Sequence, residues 1–249
     1  MISQPPSEPP AGISRREWRR RTAGASTPAS TPSSGPLPGL FASTESAAAR
    51  PQNARPTILT VCTGNICRSP MAEILLRRSL EPLGVHVHSA GTHALVDHAM
   101  PEPAQQMAIA LGADAGIVDA HRGRYLVEPM LQDADLILTM SREHRSRAVQ
   151  MMPRSLRRVF TIREFARLAS TLSTEDARAA ADAAGSDPRE RLRAVALAVA
   201  DQRGLSEPIA DEDDVIDPYR RSREIYEQSA AELTPAIAEV ERIVGAALG

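Results

Sequence analysis

The chain has 249 residues, and all 29 of its basic side chains are arginine, so it has neither a Schiff-base lysine nor a Walker-type phosphate-binding lysine. A formal net charge of -2 and an aromatic content of 3% argue against nucleic-acid binding, through a basic surface or through base stacking. Two cysteines, Cys62 and Cys67, are too few for a disulfide scaffold or a four-cysteine zinc site, and the longest apolar run, Ala194 to Ala200, is far short of the ~20 residues that span a bilayer.

Residues 1–56 hold 10 of the 20 prolines, with Ser, Thr, Gly and Ala filling most of the rest. Such a stretch buries too little apolar surface to offset its ordering entropy, so a disordered tail is expected. It carries 7 Arg against 3 Glu, whereas residues 57–249 carry 22 Arg against 28 acids. A basic cluster at Arg15, Arg16, Trp18, Arg19, Arg20 and Arg21 reads as a solvated patch, or as a contact for acidic lipid or a partner. No apolar stretch of the secretory type follows it.

From Thr57 the pattern changes. Thr57 to Cys62 is β-branched and apolar, as in a buried strand. A Gly-bearing loop, Thr63 to Arg68, leads to Ser69-Pro70, which reads as an N-cap with proline at the first helical position. Further strands are expected at Val85–Ser89, Ala134–Met140 and Arg158–Thr161. Helices are expected at Pro103–Leu111, from Ser141 to Pro153, and through Glu164–Leu168. Strands alternating with helices predict a parallel sheet with helices on both faces. Residues 172–206 are alanine-rich, with two helical stretches, the second opened by Asp187, Pro188 and Glu190. An acidic run follows: Glu207, Asp211, Glu212, Asp213, Asp214 and Asp217. The C-terminus reads as helical, restarting at Thr234-Pro235.

The loop after the first strand carries the chemistry. Cys62, five residues, then Arg68, between a strand and a helix start, is an arrangement in which backbone N–H groups from Thr63, Gly64, Asn65, Ile66 and Cys67 can form an anion nest. That field favours the thiolate of a cysteine at its base. Arg68 can give two parallel hydrogen bonds to phosphoryl oxygens. Nucleophile and transition-state clamp then share one loop. The plainer alternatives are a Cys62 that simply ends a buried strand, or zinc bound by Cys62, Cys67 and histidines among His86, His88, His93 and His98. Expelling an alkoxide or phenoxide needs a general acid, and Asp217, ahead of Pro218 and Tyr219, is the best candidate. The acidic run Asp211 to Asp214 is expected to disfavour its ionised form.

Val61 to Glu73, VCTGNICRSPMAE, resembles the phosphate loop of the low-molecular-weight protein tyrosine phosphatases of bacteria. Ser89-Ala90-Gly91-Thr92, the segment 135–140 and Asp217-Pro218-Tyr219 follow in that family's order. The resemblance covers residues 57–249 apart from 172–206. It implies a single three-layer α/β domain with a four-stranded parallel sheet flanked by helices. Cys62 is then the nucleophile, Arg68 the phosphate binder and Asp217 the general acid, turning to base when water attacks the phosphocysteine. Asn65, Ser69, Ser89 and His121 match a hydrogen-bond network that holds the loop. Tyr219 matches one wall of a slot deep enough for phenyl phosphate. Cys67 matches the second loop cysteine, able to pair with Cys62 under oxidant or simply to pack. Ile66 favours the tyrosine branch over the arginine branch, where threonine stands.

No cofactor or metal is called for. The implied partners are phosphotyrosine proteins, and His93 to Val96 resembles members acting on bacterial tyrosine kinases of polysaccharide export. Neither nucleic acid nor stable membrane insertion is implied, and a reactive thiolate suits the cytoplasm. The segment 172–206 departs from the family. It reads as a tolerated surface insertion, or as a rim element that selects substrates. Competing functions are a thiol-dependent arsenate reductase of the same fold, a protein arginine phosphatase, a non-catalytic phosphotyrosine-binding relative, and a redox or metal protein using the cysteine pair.

Overall fold

The computed structural model describes residues 55–205 and 212–249. The expected tail, except for Arg55 and Pro56, lies outside them, as do the basic cluster at 15–21, Glu207 and Asp211.

Four parallel strands form one sheet in the order β2-β1-β3-β4: β1 (Thr57–Cys62), β2 (His86–Gly91), β3 (Leu136–Thr139) and β4 (Val159–Thr161). Alternate residues serve opposite faces. Ile58, Leu136, Leu138 and Phe160 enter one core, while Leu59, Val61, Ile137 and Val159 enter the other. The strands are buried on both faces, which is why they read as largely apolar runs. The helices are α1 (Arg68–Leu80), α2 (Glu102–Ala110), α3 (Ala115–Ala120), α4 (Glu128–Asp133), α5 (Arg142–Met151), α6 (Ile162–Ala169), α7 (Thr174–Ala183), α8 (Pro188–Asp201) and α9 (Arg223–Leu248).

Three expectations are corrected. Ser69 is not an N-cap: α1 begins at Arg68, behind Cys67, and no side chain caps it. Its hydroxyl turns to the Cys62 sulfur instead, 3.0 Å away. The C-terminal helix does not restart at Pro235. It runs unbroken from Arg223 to Leu248 with Pro235 inside. The roughly 3 kcal/mol cost of an interior proline is offset by burying Leu233, Ile237, Val240, Ile243 and Val244.

The third correction concerns the stretch 172–206. It is neither a loose surface insertion nor a rim element. Ala177 and Ala181 of α7 and Leu192, Val195, Ala196 and Val199 of α8 belong to the main core. Arg189 Nε and Arg193 Nε lie 2.9 and 2.7 Å from the carboxylate of Asp135, a residue with no solvent exposure just ahead of β3. Asp135 also accepts from the Thr57 backbone N–H at 2.9 Å. Asp135 and Thr57 mark the starts of parallel strands, while Cys62 ends one. The clamp therefore grips the end of the sheet opposite the phosphate loop.

Candidate active site

β1 delivers Cys62 to the carboxyl end of the sheet, 2% exposed. The following loop folds over it by a left-handed turn at Asn65, φ 55°. Asparagine tolerates this conformation because its short side chain bonds locally. Here every polar group of Asn65 is engaged. Its backbone N–H points to Cys62 Sγ at 3.2 Å, and Nδ2 donates to Ser69 Oγ and Ser89 Oγ at 3.0 and 2.7 Å. Oδ1 accepts from the Arg124 N–H at 3.0 Å, and its carbonyl accepts from His121 Nε2 at 2.8 Å. Ser89 passes the chain on to the buried carboxylate of Glu73. Ser69 Oγ, fed by Asn65, donates to Cys62 Sγ. Two donors thus converge on the sulfur. Burial pushes the His121 pKa down, so the ring is neutral with its Nε2 proton on the Asn65 carbonyl.

The end of β2 closes the loop from below. A Cβ on Gly91 would stand 2.5 Å from the Thr63 carbonyl oxygen, so only glycine lets the strand pass. Thr92, His93 and Leu95 then donate backbone N–H groups to the carbonyls of Cys62, Thr63 and Gly64, each at 2.9 Å. With its carbonyls so occupied and the start of α1 uncapped, the loop is left rich in N–H donors.

Arg68 spans the pocket. Nη1 donates to the Val215 carbonyl at 3.0 Å, and Nη2 lies 2.7 Å from Asp217 Oδ2. Nε is buried and has no acceptor among the described residues. A phosphoryl oxygen would satisfy it. The pocket, about 240 Å³, is lined by Cys62, Thr63, Gly64, Ile66, Cys67, Arg68, His93, Leu95, Asp217 and Tyr219. Of the sequence candidates, Asn65, Ser69, Ser89 and His121 stand behind the loop and the others line the pocket.

The acidic run does not gather on Asp217. Asp213 pairs with Arg167 at 3.0 Å, and Asp214 pairs with Arg142 at 3.3 Å. The nearest charged partner of Asp217 is Arg68. Two histidines of the zinc alternative stand away from the cysteines: His86 and His88 stack at the start of β2, five and three pairing positions from the Gly91–Cys62 end, while His93 lines the pocket. Among the described residues no group of three or more His, Cys, Asp or Glu is placed to hold a metal. Cys67 differs from Cys62 in its surroundings. Burial, then the neighbouring Cys62, push its pKa up to about 12, so it remains a thiol beside Tyr226. Both cysteines are unpaired.

Residues 57–177 match the family of low molecular weight phosphotyrosine protein phosphatases. The chain is 42% identical over 109 residues to the probable low molecular weight protein-tyrosine-phosphatase EpsP of Ralstonia nicotianae, covering 43% of this chain and 71% of that protein. This chain belongs to that family. It is also 46% identical over 98 residues to the Escherichia coli K12 low molecular weight protein-tyrosine-phosphatase Etp, 39% of this chain and 62% of Etp. It therefore aligns with rather less than two thirds of Etp. It is 38% identical over 108 residues to a Geobacillus stearothermophilus protein-arginine-phosphatase, 43% of this chain and 70% of that one. Among solved structures, the tyrosine phosphatase Wzb of Escherichia coli K30, in complex with sulphate, superposes with a TM-score of 0.51 at 25% identity, over 76% of this chain and 97% of Wzb.

Two features escaped the sequence reading. Glu73 ends the network from Asn65, although it closes the stretch Val61 to Glu73. His144 touches Thr63 at 2.8 Å from the far side of the sheet, and no sequence spacing joins the two. Among the described residues no helix is long and apolar enough to cross a membrane.

Proposed function

We propose that this protein hydrolyses phosphotyrosine through a phosphocysteine. One observation carries the reading: the Arg68–Asp217 bridge across a pocket whose floor is Cys62. In the first step the Cys62 thiolate attacks phosphorus. The P–O ester bond breaks, its electron pair leaves with the phenolic oxygen, and Asp217 supplies the proton. In the second step the Asp217 carboxylate takes a proton from water as the water oxygen attacks phosphocysteine. The P–S bond breaks, the thiolate returns and phosphate departs. Arg68 and the loop N–H groups stabilise the charge that develops on the phosphoryl oxygens.

Ile66, Leu95 and Tyr219 make walls that suit a phenyl ring. A guanidinium buried between Ile66 and Leu95 would find few acceptors, so phosphoarginine is the second reading, kept by the relative of that name. The natural substrates are phosphotyrosine proteins, a bacterial tyrosine kinase among them, in the reducing cytoplasm.

The test is hydrolysis of p-nitrophenyl phosphate by wild type and by Cys62→Ser, with and without vanadate. Turnover that is inhibited by vanadate and lost in the variant supports the reading. A folded, reduced wild type without turnover overturns it, and arsenate reduction with added thiol is then assayed. Phosphotyrosine and phosphoarginine peptides compared on the active enzyme decide between the branches.

A further inference from the structure

His144 is a buried histidine to which the phosphatase chemistry assigns no part. It lies in the first turn of α5 and is 4% exposed. Both ring nitrogens are engaged. Nδ1 is 2.9 Å from Ser141 Oγ, and Nε2 is 2.8 Å from Thr63 Oγ1. Thr63 directly follows the nucleophile and lines the pocket.

Counting protons sets the direction of each bond. Ser141 is the N-cap of α5, so its oxygen accepts the backbone N–H of His144. Its hydroxyl proton has one acceptor among the described residues, Nδ1. A neutral imidazole that accepts at Nδ1 carries its proton on Nε2. The ring is neutral because it is buried and because it faces the Arg68 guanidinium and His93. Among the described residues the carboxylate facing it is Asp214, which is held by Arg142. With the Ser141 hydroxyl proton on Nδ1, Nε2–H donates to Thr63 Oγ1. Among the described residues the Thr63 hydroxyl has no second partner, so its own proton is free for an acceptor in the pocket. The same helical turn steadies the acid-bearing segment, since the Arg142 N–H donates to Asp214 Oδ1 at 2.7 Å.

Resting on the phosphatase reading, we propose that His144 is a positioning residue: by donating to Thr63 Oγ1 it fixes that hydroxyl as a hydrogen-bond donor to the bound phosphoryl ester. A histidine that merely filled space would leave the direction of the Thr63 hydroxyl unset.

Two measurements test this. Nitrogen-15 NMR of the imidazoles, with His144 assigned by its absence in His144→Gln, should show the proton on Nε2; a proton on Nδ1 overturns the proposal. In kinetics, Thr63→Val and His144→Leu should each lower kcat/KM for p-nitrophenyl phosphate about tenfold, the loss expected for one hydrogen bond to a charged group. The double variant should be no worse than either single, and His144→Gln, which keeps a side-chain N–H, should recover most of the loss. Losses that multiply in the double variant, or a Thr63→Val enzyme equal to wild type, overturn the proposal. Should His144→Leu fail to fold, Thr63→Val and the NMR still decide. A wild type without turnover is failure of the phosphatase reading itself, distinct from an active wild type matched by Thr63→Val.

Discussion

Arg68 Nη2 stands 2.7 Å from Asp217 Oδ2, joining the phosphate loop to the loop that carries the acid. A bound phosphoryl group would compete for that guanidinium and leave Asp217 to face the ester oxygen. Asp217→Asn should therefore lower kcat for phosphotyrosine by about 10²-fold or more, the usual contribution of a general acid. The loss should be smaller for p-nitrophenyl phosphate, whose leaving oxygen is less basic. Steady-state kinetics on both substrates checks this, and equal losses would mean that Asp217 serves binding rather than proton transfer.

Asn65 combines a left-handed backbone with a fully used side chain. Alanine loses both, whereas glycine loses only the side chain. Asn65→Ala should thus be less stable than Asn65→Gly by about 1 kcal/mol in urea unfolding, the cost of placing an L side chain at that φ. Both should be far less active than wild type, because Ser69 is no longer aimed at the Cys62 sulfur. Equal stabilities would mean that the left-handed backbone at Asn65 costs an alanine nothing.

How much of this was legible follows from the range of each interaction. The strand, loop and helix from Thr57 to Leu80 are local, and their residue pattern exposed Cys62 and Arg68 directly. Asp217 and Ser89 stood in ordered motifs, and His121 in the short stretch Ala120-His121-Arg122. What stayed hidden was long-range. Ser69 has the composition of an N-cap, but a sulfur 3.0 Å away takes its hydroxyl. Asp213 and Asp214 read as a repulsive run, yet arginines from α6 and α5 pair with them. The short helices α3 and α4, six residues each, are too brief to show a period.

The clamp on Asp135 predicts that α8 is integral to folding. Asp135→Ala leaves Arg189 and Arg193 without their shared carboxylate, and breaking a buried ion pair costs about 3–5 kcal/mol. Thermal melting should show the loss. The kcat of the protein that remains folded should match wild type, because the clamp lies at the other end of the sheet from Cys62. Removing 172–206 altogether should yield no folded protein. A stable, active deletion would return that segment to the surface.

Arginines, rather than the acidic run, flank the outer wall of the pocket. With Asp213 and Asp214 paired to arginines and the exposed Asp217 paired to Arg68, the cations next to the Tyr219 wall are Arg220 and Arg221. Arg220 is held at φ 59° with its guanidinium 5.1 Å from the Tyr219 ring centroid. Dianionic substrates should be drawn in, so kcat/KM should fall as salt rises, by about twofold or more between 20 and 200 mM. Arg220→Ala should flatten that dependence. A kcat/KM that climbs with salt would mean that the acids dominate the mouth after all.

Stability should weaken on the acid side through buried histidines. Burial, with the Arg68 charge adding to it, depresses the His144 pKa from 6.5 to about 4; burial and His86 bring His88 to about 4 as well. The unfolded chain binds these protons near pH 6.5, whereas the folded chain refuses them until about pH 4. Between those values the unfolded state holds more protons, so stability falls as pH falls. The buried His144 alone accounts for about 3 kcal/mol across this window. Urea midpoints at pH 7 and pH 4.5 measure the drop, and His144→Gln should reduce it, since glutamine has no proton to refuse. An unchanged pH slope in that variant would show that His144 takes up its proton with the fold intact.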